Sequence, residues 1–241
     1  MIFSPELEPS ILIKRYKRFL ADVIHPTLGE ITVHCPNTGS MKNCWQAGWK
    51  VWLQKSDNPK RKYAYTWVLA QNEQGEMIGI NTLFANRLVY EGLENNKIAE
   101  IADICKINKE VKYGEENSRI DLLVNHFDHS KTYIEVKSVT LKETLSDATS
   151  AGQGFFPDAV TTRGQKHIRE LTACVEKGDR AVLFFMVQHT GIERVSIASQ
   201  IDPDYALLLK TAMDKGVQVL VYRAKISERE IVLDQSLPFL L

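Results

Sequence analysis

The sequence predicts a mixed α and β protein in two parts, a small N-terminal β-barrel followed by a larger α/β domain, and three observations carry the prediction. Up to residue 82, short β-rich runs alternate with turn chemistry. Helical spacing then sets in, and after about residue 108 strands and helices alternate. The chain has 241 residues, 44% of them hydrophobic and 25% charged, which is enough to bury one large core or two modest ones.

In the first part, Ile11 to Val23, Glu30 to Cys35, Lys50 to Lys55, Tyr63 to Gln71 and Met77 to Ile80 are rich in β-branched and aromatic residues. His25-Pro26, Pro36-Asn37-Thr38-Gly39, Asp57-Asn58-Pro59 and Gln74-Gly75 punctuate them with turn-forming residues. Five strands in this length suggest a small closed barrel, for which an OB-like fold is the natural candidate. Thr82 to Glu94 switches to helical spacing through Leu83, Leu88 and Leu93, and a second helical or mixed stretch runs to about Cys105. The domain boundary is therefore set here, giving residues 1–82 and 83–241.

The second part reads as strands at Asn108 to Tyr113, Arg119 to Asn125 and Thr132 to Val139, then a loop-rich stretch holding Gly152, Gly154 and Pro157. Thr162 to Lys177 has Ile168, Leu171 and Val175 on one stripe and is closed by Gly178, as a helix would be. Arg180 to Gln188 is nearly all apolar, the mark of a strand covered on both faces. A strand at Glu193 to Ser199, a helix from Pro203 to Lys215 and strands at Val217 to Ala224 and Glu230 to Leu233 complete the chain.

Composition narrows the function classes. The N-terminus has neither a basic start nor an apolar stretch, and no later run is long enough to span a bilayer, so the expectation is a cytoplasmic protein without a membrane partner. The four cysteines, Cys35, Cys44, Cys105 and Cys174, form no CxxC pair and suit buried thiols, although His34, Cys35 and Cys44 lie close enough in sequence to raise a zinc site as an alternative. Net charge is zero, with 30 basic and 30 acidic residues. Ten Lys/Arg against seven Asp/Glu up to Thr82 make the first part mildly basic.

The chemistry concentrates at Asp121, Glu135 and Lys137. The polar loop Asn125 to Lys131 is centred on Asp128, so a hairpin there pairs residues whose numbers sum to 256 and sets Asp121 opposite Glu135. Such partners have Cβ atoms about 4.5 to 5.5 Å apart, close enough to share a metal ion. The same register pairs Ile120 with Val136 and Leu122 with Ile134 on the other face, while strand alternation puts Lys137 beside the two carboxylates. Two carboxylates this close repel unless a cation lies between them. Mg²⁺ (or Mn²⁺) held by oxygen ligands and water supplies that cation, polarises a phosphate and lowers the pKa of a bound water, with Lys137 orienting that water or stabilising charge on phosphorus. A salt-bridge ladder on a solvated face is the alternative for the same three residues.

The element order and the D…ExK motif resemble the PD-(D/E)xK nuclease superfamily, whose core is α-β-β-β-α-β; here Ile120 stands where the name's Pro would be. That resemblance implies a further acid from the first helix, for which Glu91 is the first candidate and Glu94 and Glu100 the rivals. It also implies a Gln from the second helix, the role that Gln165 suits. Arg163, Lys166 and His167 cluster at the start of that helix, either as phosphate contacts or as an ordinary solvated face. In the first part, Lys14, Arg15, Tyr16 and Arg18 could stack a base between phosphate contacts, with Lys14, Tyr16 and Arg18 on one strand face. Tyr63, Tyr65 and Trp67 form an aromatic ladder that is either a stacking surface or barrel core; Trp45, Trp49 and Trp52 read as core, and His126 and His129 as exposed.

The segments His34 to Met41, Asn86 to Val89, Ser118 to Asp121, Tyr133 to Ser138 and Phe156 to His167 resemble those of the bacterial and archaeal sugar fermentation stimulation protein family over nearly the whole chain. The resemblance implies an OB-like domain, a nuclease-like domain and DNA binding, single-stranded or duplex, with a regulatory role in sugar metabolism suggested by the name. The residues allow equally a DNA-binding protein that retains a metal site and an active Mg²⁺-dependent nuclease.

Overall fold

In a computed structural model, which describes residues 1–114, 118–143 and 152–241, the β-rich start of the chain closes on itself. Strands β1 (Glu8–Tyr16), β2 (Leu20–His25), β3 (Gly29–His34), β4 (Lys50–Lys55) and β5 (Tyr65–Gln71) bond round a ring in the order β1-β2-β3-β5-β4-β1, the five-stranded OB arrangement. A parallel bridge between His34 and Thr66 shuts it. The expected single run Ile11 to Val23 is two strands, because Lys17 and Arg18 take φ of 50° and 63° and turn the chain into a hairpin. Conversely β6 (Met77–Gly79), expected as a barrel strand, only extends the edge beside β5. The count of five therefore holds with different members.

Trp67 and Tyr65 are buried among Leu12, Val23, Val33 and Leu53, so these two of the expected ladder are barrel core, while Tyr63 is half-buried just before β5. The Trp67 Nε1 donates to the Leu69 carbonyl at 2.9 Å, which satisfies the one polar atom this indole carries inward. Trp52 is buried as well, whereas Trp45 and Trp49 are half-buried.

The second part is built on α1 (Phe84–Glu94), β7 (Ile104–Tyr113), β8 (Ser118–His126), β9 (Lys131–Val139), the short β10 (Leu141–Lys142) and β11 (Gln153–Phe156), and α2 (Thr162–Glu176). It continues through β12 (Arg180–Val187), β13 (Arg194–Ile197), α3 (Pro203–Asp214), β14 (Gln218–Ile226), β15 (Ile231–Ser236) and β16 (Phe239–Leu240). The main sheet runs β15-β14-β12-β9-β8-β7, with β9, β12 and β14 parallel. The stretch after Glu94, expected as helical or mixed, contains turns up to β7. Part of the loop-rich stretch forms β11, which joins β10, β13 and β16 in a small second sheet; residues 144–151 of that stretch lie outside the described ones.

Helices cover both faces of the main sheet, which explains the apolar run of β12. Phe184 and Met186 pack with α1, and Leu183, Phe185 and Val187 pack with α2 and α3. Each such side chain contributes about 1.5 to 3 kcal/mol on full burial. Thr161 caps α2 by accepting from the Gly164 N–H at 2.9 Å, and Asp202 caps α3 by accepting from Tyr205 N–H at 3.0 Å. No helix among the described residues is long and apolar enough to cross a membrane.

The core under α1 also takes in Phe3, Leu7, Trp52, Val68 and Leu69, so the barrel and the α/β domain share one apolar interior. The chain start is part of it: Phe3 N–H donates to the Arg229 carbonyl at 2.9 Å and Ile2 bridges to Glu230. On another side of the seam, Lys142 Nζ lies 2.5 Å from Glu76 Oε1 beside the buried His189, whose Nδ1 accepts from Gly191 N–H at 3.1 Å. Burial pushes the His189 pKa down to about 4, with the Glu76 charge opposing and the Lys142 charge assisting.

Candidate active site

The predicted hairpin register is realised between β8 and β9 from Asn125↔Lys131 to Leu122↔Ile134, whose numbers sum to 256. There the ladder stops. One residue further, the Asp121 carboxylate takes the place of a ladder acceptor, its Oδ2 accepting from the Val136 N–H at 2.7 Å. Beyond this point the two strands part company: Val136 packs under α1, while Ile120, expected on the same face, packs under α2. The expected pairing of those two apolar residues is thus replaced by a local change of face, which leaves Asp121 at the margin between the two layers.

Asp121 Oδ1 accepts from Asn86 Nδ2 of α1 at 2.7 Å. On its other side the β7–β8 pairs Lys109↔Leu122 and Val111↔Ile120 leave Glu110 opposite Asp121, with a φ of 54°. Glu110 and Asp121 line a cavity of about 250 Å³ together with Leu83, Asn86 and Arg87. Burial, then the negative charge of Glu135, push the Asp121 pKa up to about 6 against the bonds from Val136 and Asn86 and the Lys137 charge.

Glu135 is 3% exposed. Its Oε1 receives Lys137 Nζ at 2.6 Å and also touches His167 Nδ1, which lies 3.1 Å from the same Lys137 nitrogen. Burial raises the Glu135 carboxyl, but the His167 hydrogen bond and the charge of Lys137 outweigh it, and its pKa lies below the ordinary glutamate value. Glu135 Oε2 is buried without a hydrogen-bond partner. An acceptor left so costs about 1 to 3 kcal/mol and more when charged.

Asp121, Glu135 and Lys137 therefore come together, and the structure adds Asn86 and His167. His167, expected among phosphate contacts on the outside of α2, is 4% exposed and turned into the site. Gln165 faces elsewhere: its Nε2 donates to Asp202 Oδ1 at 2.9 Å, tying α2 to the cap of α3 and not to Asp121 or Glu135. Arg163 is exposed and Lys166 partly so at the start of α2. The three α1-side acids are also engaged away from Asp121. Glu91 Oε2 pairs with the Met1 amine at 3.1 Å and its Oε1 with Arg87 Nε at 2.8 Å. Glu94 accepts from the Tyr90 hydroxyl, and Glu100 from the Tyr222 hydroxyl at 2.7 Å.

Part of the barrel's basic run has partners within the fold, while Lys17 and Arg18 are exposed. Arg15 donates to the carbonyls of Arg18, Asn37 and Gly39, each at 2.9 Å, and so clamps the loop after β3. Lys14 Nζ lies 3.3 Å from Asp22 Oδ2, and the Tyr16 hydroxyl donates to Asp22 Oδ1 at 3.0 Å. Lys14 and Tyr16 thus share a partner, but Arg18 falls in the turn beyond the strand and does not continue their face. His126, expected to be exposed, is buried between the Ala102 carbonyl at 2.9 Å and Thr132 Oγ1 at 2.8 Å.

The carboxylate donor set fits a hard divalent cation: two oxygens-only side chains stand together, one bearing a buried acceptor with no partner. Among the described residues, no group of three or more His, Cys, Asp and Glu side chains is arranged to hold a metal, so water and substrate oxygens would complete such a site. The zinc alternative at His34, Cys35 and Cys44 is not formed; the Cys35 thiol instead contacts Met41 Sδ and the Asn37 carbonyl, and the Cys44 thiol the carbonyls of Lys42 and Thr140.

The sequence had an available pointer to Asn86, which opens one of the segments shared with the family and stands at the edge of the apolar stripe Ala85, Leu88, Val89. For His167 the inward turn depends on the helix phase relative to β9, which spacing alone left open.

Residues 13–80 match the model of an SfsA N-terminal OB domain, and residues 83–230 that of a sugar fermentation stimulation protein RE domain. A sugar fermentation stimulation protein homolog from Shewanella loihica is 54% identical over 238 residues, covering 99% of each chain. One from Shewanella frigidimarina is 56% identical over 227 residues, covering 94% of each. The fold of Pyrococcus furiosus SfsA, solved in complex with Ca²⁺, superposes with a TM-score of 0.85 at 24% identity, over 100% of this chain and 98% of that one. With both domain models matched in order and relatives alike along nearly their whole length, the chain belongs to the sugar fermentation stimulation protein family.

Proposed function

We propose that the protein binds DNA and hydrolyses its phosphodiester bonds with Mg²⁺ or Mn²⁺ held at Asp121 and Glu135. The observation that carries this reading is the pair of carboxylates at the point where β8 and β9 separate, half-buried Asp121 and buried Glu135, the latter with an unpartnered oxygen and Lys137 bonded to it. That the Pyrococcus furiosus relative was solved with Ca²⁺, another hard cation that takes oxygen ligands, supports it.

Bound there, the ion would polarise the phosphate and supply a water of lowered pKa. The chain's own residues do the rest. Asn86 and the Val136 N–H hold the Asp121 carboxylate in one orientation. Glu135 and His167 together fix the Lys137 ammonium, so that it meets a phosphate oxygen already oriented and stabilises charge developing on it. Burial of the site strengthens each of these interactions by keeping water out.

A second reading, DNA binding without hydrolysis, has one observation in its favour: Lys137 and His167 already satisfy Glu135 Oε1 without an ion. Incubating labelled single-stranded and duplex DNA with Mg²⁺, Mn²⁺ or chelator, beside Glu135→Gln and Lys137→Ala, separates the two. Metal-dependent cleavage lost in both variants supports hydrolysis. DNA binding that persists in all three proteins without cleavage supports the second reading. In either case affinity should fall steeply between low and moderate salt, as phosphate contacts require; undetectable or salt-independent binding would remove DNA as the partner. A regulatory part in sugar use is what the family's name suggests, and DNA binding is the activity through which it would act.

A further inference from the structure

We infer that a cavity at the seam of the two domains receives an unstacked nucleobase of the strand being cut, which directs the protein to single-stranded or locally opened DNA. The inference rests on the proposed reading of the site and adds its substrate class.

Two of the family's segments, far apart in sequence, meet to make this cavity: Ser40 Oγ donates to Asp158 Oδ2 at 2.6 Å. Its wall is formed by Asn37 and Thr38 from the barrel loop and by Thr140, Phe155, Phe156 and Asp158 from the α/β domain. The loop is fixed before any ligand arrives. Arg15 holds the carbonyls of Asn37 and Gly39, and Asn37 Oδ1 accepts from Gly39 N–H at 2.8 Å. A side chain at position 39 would press on Asn37 Oδ1 at 3.0 Å and on Asp158 Oδ2 at 3.4 Å, so glycine keeps the opening clear. Such preorganisation lowers the ordering cost of binding.

Charge and size limit the occupant. Among the described residues Asp158 is the one charged residue in the wall, so a phosphate group is repelled and a neutral group accepted. The volume, about 200 Å³, is below the roughly 300 to 1,000 Å³ of sites for drug-sized ligands. It suits a single flat ring with an apolar phenylalanine in its wall and polar edges, and excludes a stacked base pair. A base can enter only when it is out of the helix, as in a single strand or a flipped nucleotide.

Position links the cavity to the carboxylates. Ser138, also in its wall, directly follows Lys137 on β9 and lies about 10 Å from Glu135 by strand rise. Thr82, in the wall too, lies in the turn two residues before α1, whose first turn carries Asn86. A base bound here would belong to a nucleotide within about three of the phosphate at the carboxylates, at the 3.4 Å spacing of a stacked strand. The Asp158 carboxylate accepts, so bases presenting an exocyclic amine, above all cytosine and adenine, fit better than thymine.

The test uses the whole protein in chelator, so that nothing is cut. Fluorescence anisotropy compares 12-nucleotide single strands of cytosine, adenine and thymine, a 12-nucleotide abasic strand of equal charge, and a duplex, for the wild type, Asp158→Asn and Thr38→Val. Expected is binding of the cytosine and adenine strands at least tenfold tighter than the abasic strand, with thymine between them and the duplex weakest. In the two variants, which alter exposed side chains, that ratio should shrink towards one while affinity for the abasic strand is unchanged. An abasic strand bound as tightly as cytosine, a duplex preferred, or a ratio untouched by both variants would each overturn the inference. Loss of the proposed hydrolysis would look different, with no cleavage in Mg²⁺ and the base ratio intact.

Discussion

The two hairpins that carry the conspicuous charges, β1–β2 and β8–β9, treat them in opposite ways. At β1–β2 Asp22 gathers Lys14, Tyr16 and Thr32 and Arg15 Nη2 donates to three carbonyls, while Lys17 and Arg18 are exposed at the turn. At β8–β9 half-buried Asp121 and buried Glu135 hold fewer donors than they can accept, and one oxygen of Glu135 has none. Arg15 and Tyr16 are thus held by partners within the fold, whereas the carboxylates at β8–β9 keep acceptor capacity for something from outside.

The comparison can be broken most decisively at Lys137. Lys137→Ala should lower metal-dependent cleavage by about 100-fold or more, since it removes a preorganised charge next to the phosphate; cleavage within threefold of the wild type in a single-turnover assay would refute the assignment. Arg15→Ala should do the converse. It should cost about 3 kcal/mol of stability through its lost charged hydrogen bonds, seen as a lower urea midpoint, with cleavage per folded molecule unchanged.

His189 extends the contrast to a third cluster. Its pKa is about 4 in the fold against 6.5 for the unperturbed group, so its contribution is complete above pH 6.5 and is lost as pH falls from there through about 4. At pH 5 about 2 kcal/mol should be gone, lowering Tm by about 5 °C in calorimetry. A His189→Gln variant should show a smaller fall between pH 7 and 5. Smaller still, Asn86→Ala should reduce cleavage about tenfold by freeing Asp121. Glu91→Gln should leave cleavage and Mg²⁺ titration unchanged and cost at most about 1 kcal/mol in a melting curve, because its partners are the Met1 amine and Arg87.

Much of this was legible in the sequence where short-range rules act. The loop centred on Asp128 set the register as far as Leu122↔Ile134, and the apolar run of β12 announced a strand covered on both sides. What escaped depended on tertiary phase. Spacing gave Gln165 an inward position on α2, yet the cap of α3 captured it, while His167 two residues on reached Glu135. Glu91 suited the first helix's acid by type, but the helix turns Asn86 to Asp121 and Glu91 to the chain start. Likewise the run Ile11 to Val23 hid a turn, since its signal was a pair of positive φ values at Lys17 and Arg18 and not a glycine or proline.

The strap formed by Phe3 against Arg229 has a consequence for biosynthesis. Phe3, Leu7, Trp52 and Leu69 are translated early but find their apolar neighbours in Val136, Phe184 and Ile231, which are translated much later. At about 5 to 20 residues per second, the roughly 150 residues in between take about 8 to 30 s to emerge. For that interval the nascent barrel keeps an apolar face without the neighbours that cover it in the finished fold.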